Sequence, residues 1–240
     1  MKRTLITCIA LAFAVPLSAQ ISTGRYRHYF DVGVIAGISN YSGDLTESDL
    51  ELRQSRPAFG VFGRYQLSQS FLLKGQYLNG RIYGDDRFSK AHLDRKFRVS
   101  GPLHELSLVL EYAPFYFGFE NSAGKEYNFF PYIFAGVGAT YAKPKLQYYG
   151  SPEDQATYIR EPLPEGGQEQ NLFLCTPVGG GIRLNINHRM TLGLEAGLRP
   201  VYSDLLDGVS KNGNPDFNDW YYFAGLTASY YLGHSWQLKE

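Results

Sequence analysis

Cysteine, tryptophan and long apolar runs are what this chain of 240 residues has least of. There are two cysteines, and Cys8 lies in an N-terminal apolar stretch that reads as a removable leader. Its loss leaves Cys175 alone, which excludes an internal disulfide, two-thiol catalysis and cysteine-based metal sites. Beyond that stretch no segment approaches the ~20 apolar residues that a spanning helix needs. Helical membrane spans are thereby excluded, and a closed barrel is the only other way for a backbone to cross a bilayer. An excess of either charge is missing too. The 23 basic side chains, of which Lys2 and Arg3 leave with the leader, face 23 acidic ones. That balance argues against nucleic acid as a partner.

What is present begins with an export signal over residues 1–19. Lys2 and Arg3 start it, Leu5 to Val15 supply the apolar run, and Pro16-Leu17-Ser18-Ala19 precede a cut before Gln20. Residues 20–240 read as a single domain. Tyrosine and phenylalanine are abundant, at 19 and 16 residues. Tyrosine pairs sit at expected strand ends (Tyr148-Tyr149, Tyr221-Tyr222, Tyr230-Tyr231), as in the aromatic girdles of membrane barrels.

The decisive pattern is alternation. From Met190 to Arg199 the residues Met190, Leu192, Leu194, Ala196 and Leu198 share one face, and Thr191, Gly193, Glu195, Gly197 and Arg199 share the other. Behind a signal peptide, such strands predict an all-β fold: an eight-stranded antiparallel transmembrane β-barrel with its oily face in outer-membrane lipid. The strands are expected over 29–40, 56–67, 71–83, 102–113, 129–143, 171–185, 189–201 and 219–232. The third is ragged, and the fifth and eighth are apolar on both faces, so alternation assigns them no register. Glycines (Gly33, Gly37, Gly60, Gly179, Gly181, Gly193, Gly197) recur on the inner face beside Arg64, Glu105, Glu111, Arg183, Glu195 and Arg199. Eight strands leave an interior just wide enough for side chains. Mixed charges there must pair, because isolated ones are costly to bury; a plugged lumen without an open channel follows.

Connection lengths support the count. Ser68-Gln69-Ser70 and Ile186-Asn187-His188 are short turns; 41–55, 84–101, 144–170 and 202–218 are long and polar. Barrels place short turns on the periplasmic side and long loops outside. The exception is 114–128, a periplasmic connection with spare length and with Phe115, Tyr116, Phe117, Phe119 and Tyr127. It is either a partner-contact surface or a longer hairpin reaching the lower aromatic belt.

No catalytic residues, cofactor or metal site are expected. His104 and Ser107 lie three apart in one strand and face opposite sides of the wall, so an acyl-hydrolase pair cannot form there. The acidic stretch Asp204 to Asp219 lacks calcium-loop spacing, and Gly179-Gly180-Gly181 has no helix after it to cradle phosphate.

Four stretches together resemble the PorG-like outer-membrane barrels associated with the type IX secretion system. They are Gly37-Ile38-Ser39-Asn40-Tyr41-Ser42-Gly43-Asp44-Leu45, Pro131 to Gly138, Ala142-Lys143-Pro144-Lys145, and Leu192 to Arg199 followed by Ser203 to Ser210. The resemblance implies an outer-membrane scaffold that anchors or positions a periplasmic ring built from the PorK lipoprotein and PorN. The motif residues also have a local reading: Gly43 permits positive φ, while Asp44, Asp204 and Asp207 bond nearby amides and pin the loops around Tyr41. The competing readings are a structural or adhesive barrel and a barrel lipid hydrolase.

Overall fold

The computed structural model describes residues 29–42, 54–85, 87, 96–115, 117–120, 126–151, 171–187, 189–202 and 219–232. The expected leader, and with it the cut before Gln20, lies outside these residues. Among the described residues eleven strand segments form one antiparallel sheet. They are β1 (Phe30–Ser42), β2 (Arg56–Gln66), β3 (Phe71–Asp85), β4 (Phe97–Tyr112), β5 (Phe117–Glu120), β6 (Glu126–Ala142), β7 (Lys145–Tyr148), β8 (Leu172–Cys175), β9 (Val178–Asn185), β10 (Met190–Pro200) and β11 (Trp220–Tyr231).

Eleven segments make eight staves. β5 prolongs β4 past Ala113, β7 prolongs β6 past Pro144, and β8 runs into β9 across Thr176 and Pro177. A proline has no N–H for the ladder, which is why the expected single strand over 171–185 is interrupted; Pro177 still accepts from Gly136 N at 2.9 Å through its carbonyl. The sheet closes because β1 pairs with β2 on one side and with β11 on the other, from Asp31↔Tyr231 to Ser42↔Trp220. The structure is a closed eight-stranded barrel. Strand starts differ most at β4, which begins at Phe97 and not near residue 102, because its first turn pairs with the end of β3 and with β7.

The two tight turns are built by side chains that accept backbone protons. Ser68 Oγ takes bonds from Ser70 N and Phe71 N at 3.4 and 3.2 Å. Asn187 Oδ1 takes them from Arg189 N and Met190 N, both at 2.9 Å. Both turns sit at the end where β1 starts and β11 stops, as the loop-length asymmetry requires.

Polarity is inside out. Val34, Phe59, Val61, Leu106, Ile133, Val137, Leu194 and Leu226 are exposed on the outer wall, whereas Arg64, Lys74, Glu105, Glu111, Glu195 and Arg199 are buried. This is the arrangement of a membrane-spanning barrel. The registers that alternation left open are settled by it. β6 sends Tyr132, Phe134 and Thr140 inward; β11 sends Tyr221, Phe223, Thr227 and Ser229 inward. One expectation needs correction here. Adjacent strand residues face opposite ways, so each tyrosine pair in β11 supplies one ring to the wall: Tyr221 is buried in the lumen, and Tyr231 bonds inward to Thr191 at 2.9 Å.

Candidate functional site

The lumen holds four buried carboxylates (Asp31, Glu105, Glu111, Glu195) and four buried cations (Arg64, Lys74, Arg183, Arg199) among the described residues below the outer mouth. Their pairing has two tiers. In the lower tier Arg64 binds Asp31 through two nitrogens, at 3.1 and 2.6 Å. Ser229 closes that triangle, accepting from Arg64 at 2.8 Å and donating to Asp31 at 2.9 Å. Glu111 is the hub: Arg183 lies 2.9 Å away, Lys74 3.4 Å and Arg64 3.8 Å. Lys74 also donates to Glu195 at 2.6 Å, and Tyr132 donates to the same oxygen at 2.8 Å.

In the upper tier Glu105 collects Ser107 and Tyr221 hydroxyls, both at 2.6 Å, Gln76 Nε2 at 3.2 Å and Arg199 Nε at 3.3 Å. The Arg199 guanidinium lies 5.3 Å from the Phe223 ring centre and 5.9 Å from that of Phe134. Above this tier an apolar layer of Ile82, Leu103, Ala142, Phe173, Cys175, Val201 and Tyr221 fills the barrel. Charge pairing and an apolar lid together occlude the bore. Cys175 belongs to this lid, accepting from Thr140 Oγ1 at 3.3 Å. At the mouth Asp85 is fully buried and held by Arg87 at 2.7 Å and Arg98 at 2.8 Å. The hydrogen bond to Asp85 raises the Arg87 guanidinium further above its ordinary value.

Glycine makes room for this packing. Gly179 and Gly181 of β9 lie beside Phe134 and Tyr132 of β6 in register, and any Cβ there would run into those rings. Aromatic rings laid over glycine on a neighbouring strand are a known device of β-sheets. Here the device carries Tyr132 to Glu195.

All six charges expected in the lumen from alternation (Arg64, Glu105, Glu111, Arg183, Glu195, Arg199) are there and in contact with one another's partners. Lys74 was missed. Its strand carries Leu72, Lys74, Gln76 and Leu78 on the inner face and Leu73, Gly75, Tyr77 and Asn79 on the outer one, so apolar content does not distinguish the two. The polar pair Lys74 and Gln76 on one face was the available signal. Ser107 faces the lumen and His104 the outer wall, where Tyr77 and Asn79 contact its Nδ1 at 2.8 and 3.0 Å; the two do not meet. Among the described residues no three His, Cys, Asp or Glu side chains are grouped to hold a metal ion.

At the short-turn end β5 pairs with the start of β6, with Phe117↔Phe129 and Phe119↔Tyr127 in register. Phe115 and Phe117 are 63% and 55% exposed. Tyr116, and the side chains of Phe119 and Tyr127, lie outside the described residues. So do Gly43, Asp44, Asp204 and Asp207; the Tyr41 backbone lies one residue before the end of β1, paired with Tyr221.

Residues 2–237 match the model of a domain of unknown function, DUF6089. The chain belongs to the DUF6089 family. No curated protein matches the sequence of this DUF6089 chain. Solved structures similar to it include the attachment invasion locus protein Ail of Yersinia pestis, 12% identical, with 86% of this chain and 100% of that chain covered and a TM-score of 0.44. Neisserial surface protein A is 10% identical over 85% and 98% of the two chains, with a TM-score of 0.49. The N-terminal β-barrel domain of Pseudomonas aeruginosa OprF is 17% identical over 86% and 100%, with a TM-score of 0.40. Fold alone does not carry function. The closed eight-stranded barrel of this DUF6089 chain, with its apolar outer wall and charged lumen, is read from its own strand pairing and burial.

Proposed function

We propose that this protein is an outer-membrane scaffold whose working surface is the extended hairpin at its short-turn end. The observation that carries the reading is the pair Phe115 and Phe117, exposed on β5 and the residues before it, where barrels of this size ordinarily have only a tight turn. Exposed aromatic rings on and beside a strand pair suit a protein-contact patch. An occluded bore fits the same reading, because a scaffold needs a stiff cylinder and not a channel. The sequence resemblance to PorG-like barrels supplies the finer proposal: the partner is a periplasmic ring of PorK lipoprotein and PorN type, and the process is type IX protein secretion. That assignment rests on the resemblance.

The test is removal of 118–126, closed by a two-residue turn, in cells that secrete by the type IX route. The scaffold reading expects normal barrel folding on a heat-modifiability gel, weaker capture of the ring lipoprotein from detergent-solubilised envelopes, and reduced export. Shortening 151–168 at the other end leaves capture and export intact. The opposite pattern, with export lost only when 151–168 is cut, places the partner outside the cell and favours an adhesive barrel.

A further inference from the structure

The outer wall carries a second organised surface. Side chains facing outward on neighbouring strands stack in columns set by the register. On β4 the column climbs from Leu110, Leu108 and Leu106, all well exposed, to His104, Pro102 and Ser100. Asn79, His104 and Tyr141 form one row across β3, β4 and β6. The next row toward the long-connection end is Arg81, Pro102 and Lys143, the last bonding Pro102 O through its backbone N–H at 3.4 Å. Above it come Tyr83, Ser100 and Lys145. Hydrocarbon-facing leucine gives way to cations within two rows.

Arg81, Lys143 and Lys145 are exposed and have no ion-pair partner among the described residues. The Asp85 carboxylate on the same wall is already taken by Arg87 and Arg98. Pro102 projects no long side chain, so Arg81 and Lys143 flank a gap of two strand spacings, ~10 Å. His104 Nδ1 lies 2.8 Å from Tyr77 Oη and 3.0 Å from Asn79 Nδ2. Beneath Tyr77 the wall is dented where Gly63 and Gly75 pair across β2 and β3. The dent belongs to a shallow, almost wholly apolar groove of about 680 Å³ that runs from Leu106 and Tyr77 across Gly75 and Gly63 to Val32 and Tyr230 on β1 and β11.

We propose that this face binds one phosphorylated glycolipid of the outer leaflet, of lipid A chemistry. Its phosphate lies over Arg81, Lys143 and Lys145, and an acyl chain lies in the Gly63–Gly75 groove. A soluble anion has no use for the groove, and a zwitterionic lipid, with its own ammonium beside the phosphate, brings no net negative charge to three cations. The inference rests on the outer-membrane reading, which turns the long-connection end toward the outer leaflet.

The test uses the full barrel in phosphatidylcholine nanodiscs doped with either bis-phosphorylated or dephosphorylated lipid A, and counts lipid retained after repurification by mass spectrometry. The native barrel retains the phosphorylated form preferentially, on the order of ten-fold or more given the attraction of several cations at a lipid surface. The R81Q/K143Q/K145Q variant loses that preference while still showing the folded gel mobility. Gly75→Leu, where an added Cβ meets only the end of Leu108 at 4.0 Å, fills the groove and lowers retention of both forms. Equal retention of the two forms by the native barrel, or an unchanged preference in the triple variant, overturns the proposal alone. Failure of the native chain to insert and fold in lipid overturns it together with the outer-membrane reading.

Discussion

Lys74 Nζ lies 2.6 Å from Glu195 Oε2, joining β3 to β10 across the full width of the lumen between residues 121 apart in sequence. Neither strand is the other's neighbour in the sheet, so this contact exists only once the barrel has closed. Truncating one partner strands the other charge, which typically costs about 3–5 kcal/mol. Glu195→Ala and Lys74→Met each lower the heat-unfolding temperature read by gel mobility. The double change K74M/E195L restores a large part of the loss, because an apolar pair in a closed interior does not carry the desolvation cost. A double variant as unstable as the sum of the singles would contradict the pairing.

The wall is tested at neighbouring residues of β10. Leu194 is 49% exposed at the middle of the strand, on the lipid side. Leu194→Arg should destabilise by about 2–4 kcal/mol and impair assembly, as charged residues do at the bilayer midplane. Thr191→Arg and Gly193→Arg fail for a different reason. Thr191 is buried and bonded to Asn185 and Tyr231, and a side chain at Gly193 meets Thr227 Oγ1 and the Ile182 carbonyl. Only the Leu194 defect should be relieved by moving the barrel from a thick to a thin bilayer.

Occlusion has an electrical signature. With two tiers of paired charge and an apolar layer above them, the native barrel should show no large steady conductance in planar bilayers. Opening requires the lid to go as well as the charges: Phe173→Ala with Glu105→Ala should leak more than either alone. A large resting conductance in the native protein would refute the plug.

Gly181 tests the aromatic bed. A Cβ at this position meets Tyr132 Oη and Cζ and the Leu194 carbonyl. Gly181→Val is expected to displace the ring and break its bond to Glu195, with a loss of stability read as a lower urea midpoint. Gly75→Ala, on the outer wall where a Cβ makes only an ordinary contact with the end of Leu108 at 4.0 Å, should be close to neutral.

Alternation and connection lengths determined the count of eight staves, and alternation the faces of the five regular ones with the lumen position of Arg64, Glu105, Glu111, Arg183, Glu195 and Arg199, because a period of two is a local property of a strand facing lipid on one side. The short turns at Ser68 and Asn187 were legible for the same reason: the side chains that build them are adjacent in sequence. Lys74 and the orientation of Tyr221 were not, since β3 and β11 carry apolar residues on both faces and only packing chooses between them. Tertiary structure also decided who pairs with whom. Glu111 draws Arg64, Lys74 and Arg183 from three separate staves, and the row of Arg81 and Lys143 beside Pro102 exists only because β3 and β6 flank β4. Local chemistry fixes which way a side chain points; closure of the sheet fixes what it meets, because contacts across a lumen join residues whose separation along the chain bears no relation to their distance in space.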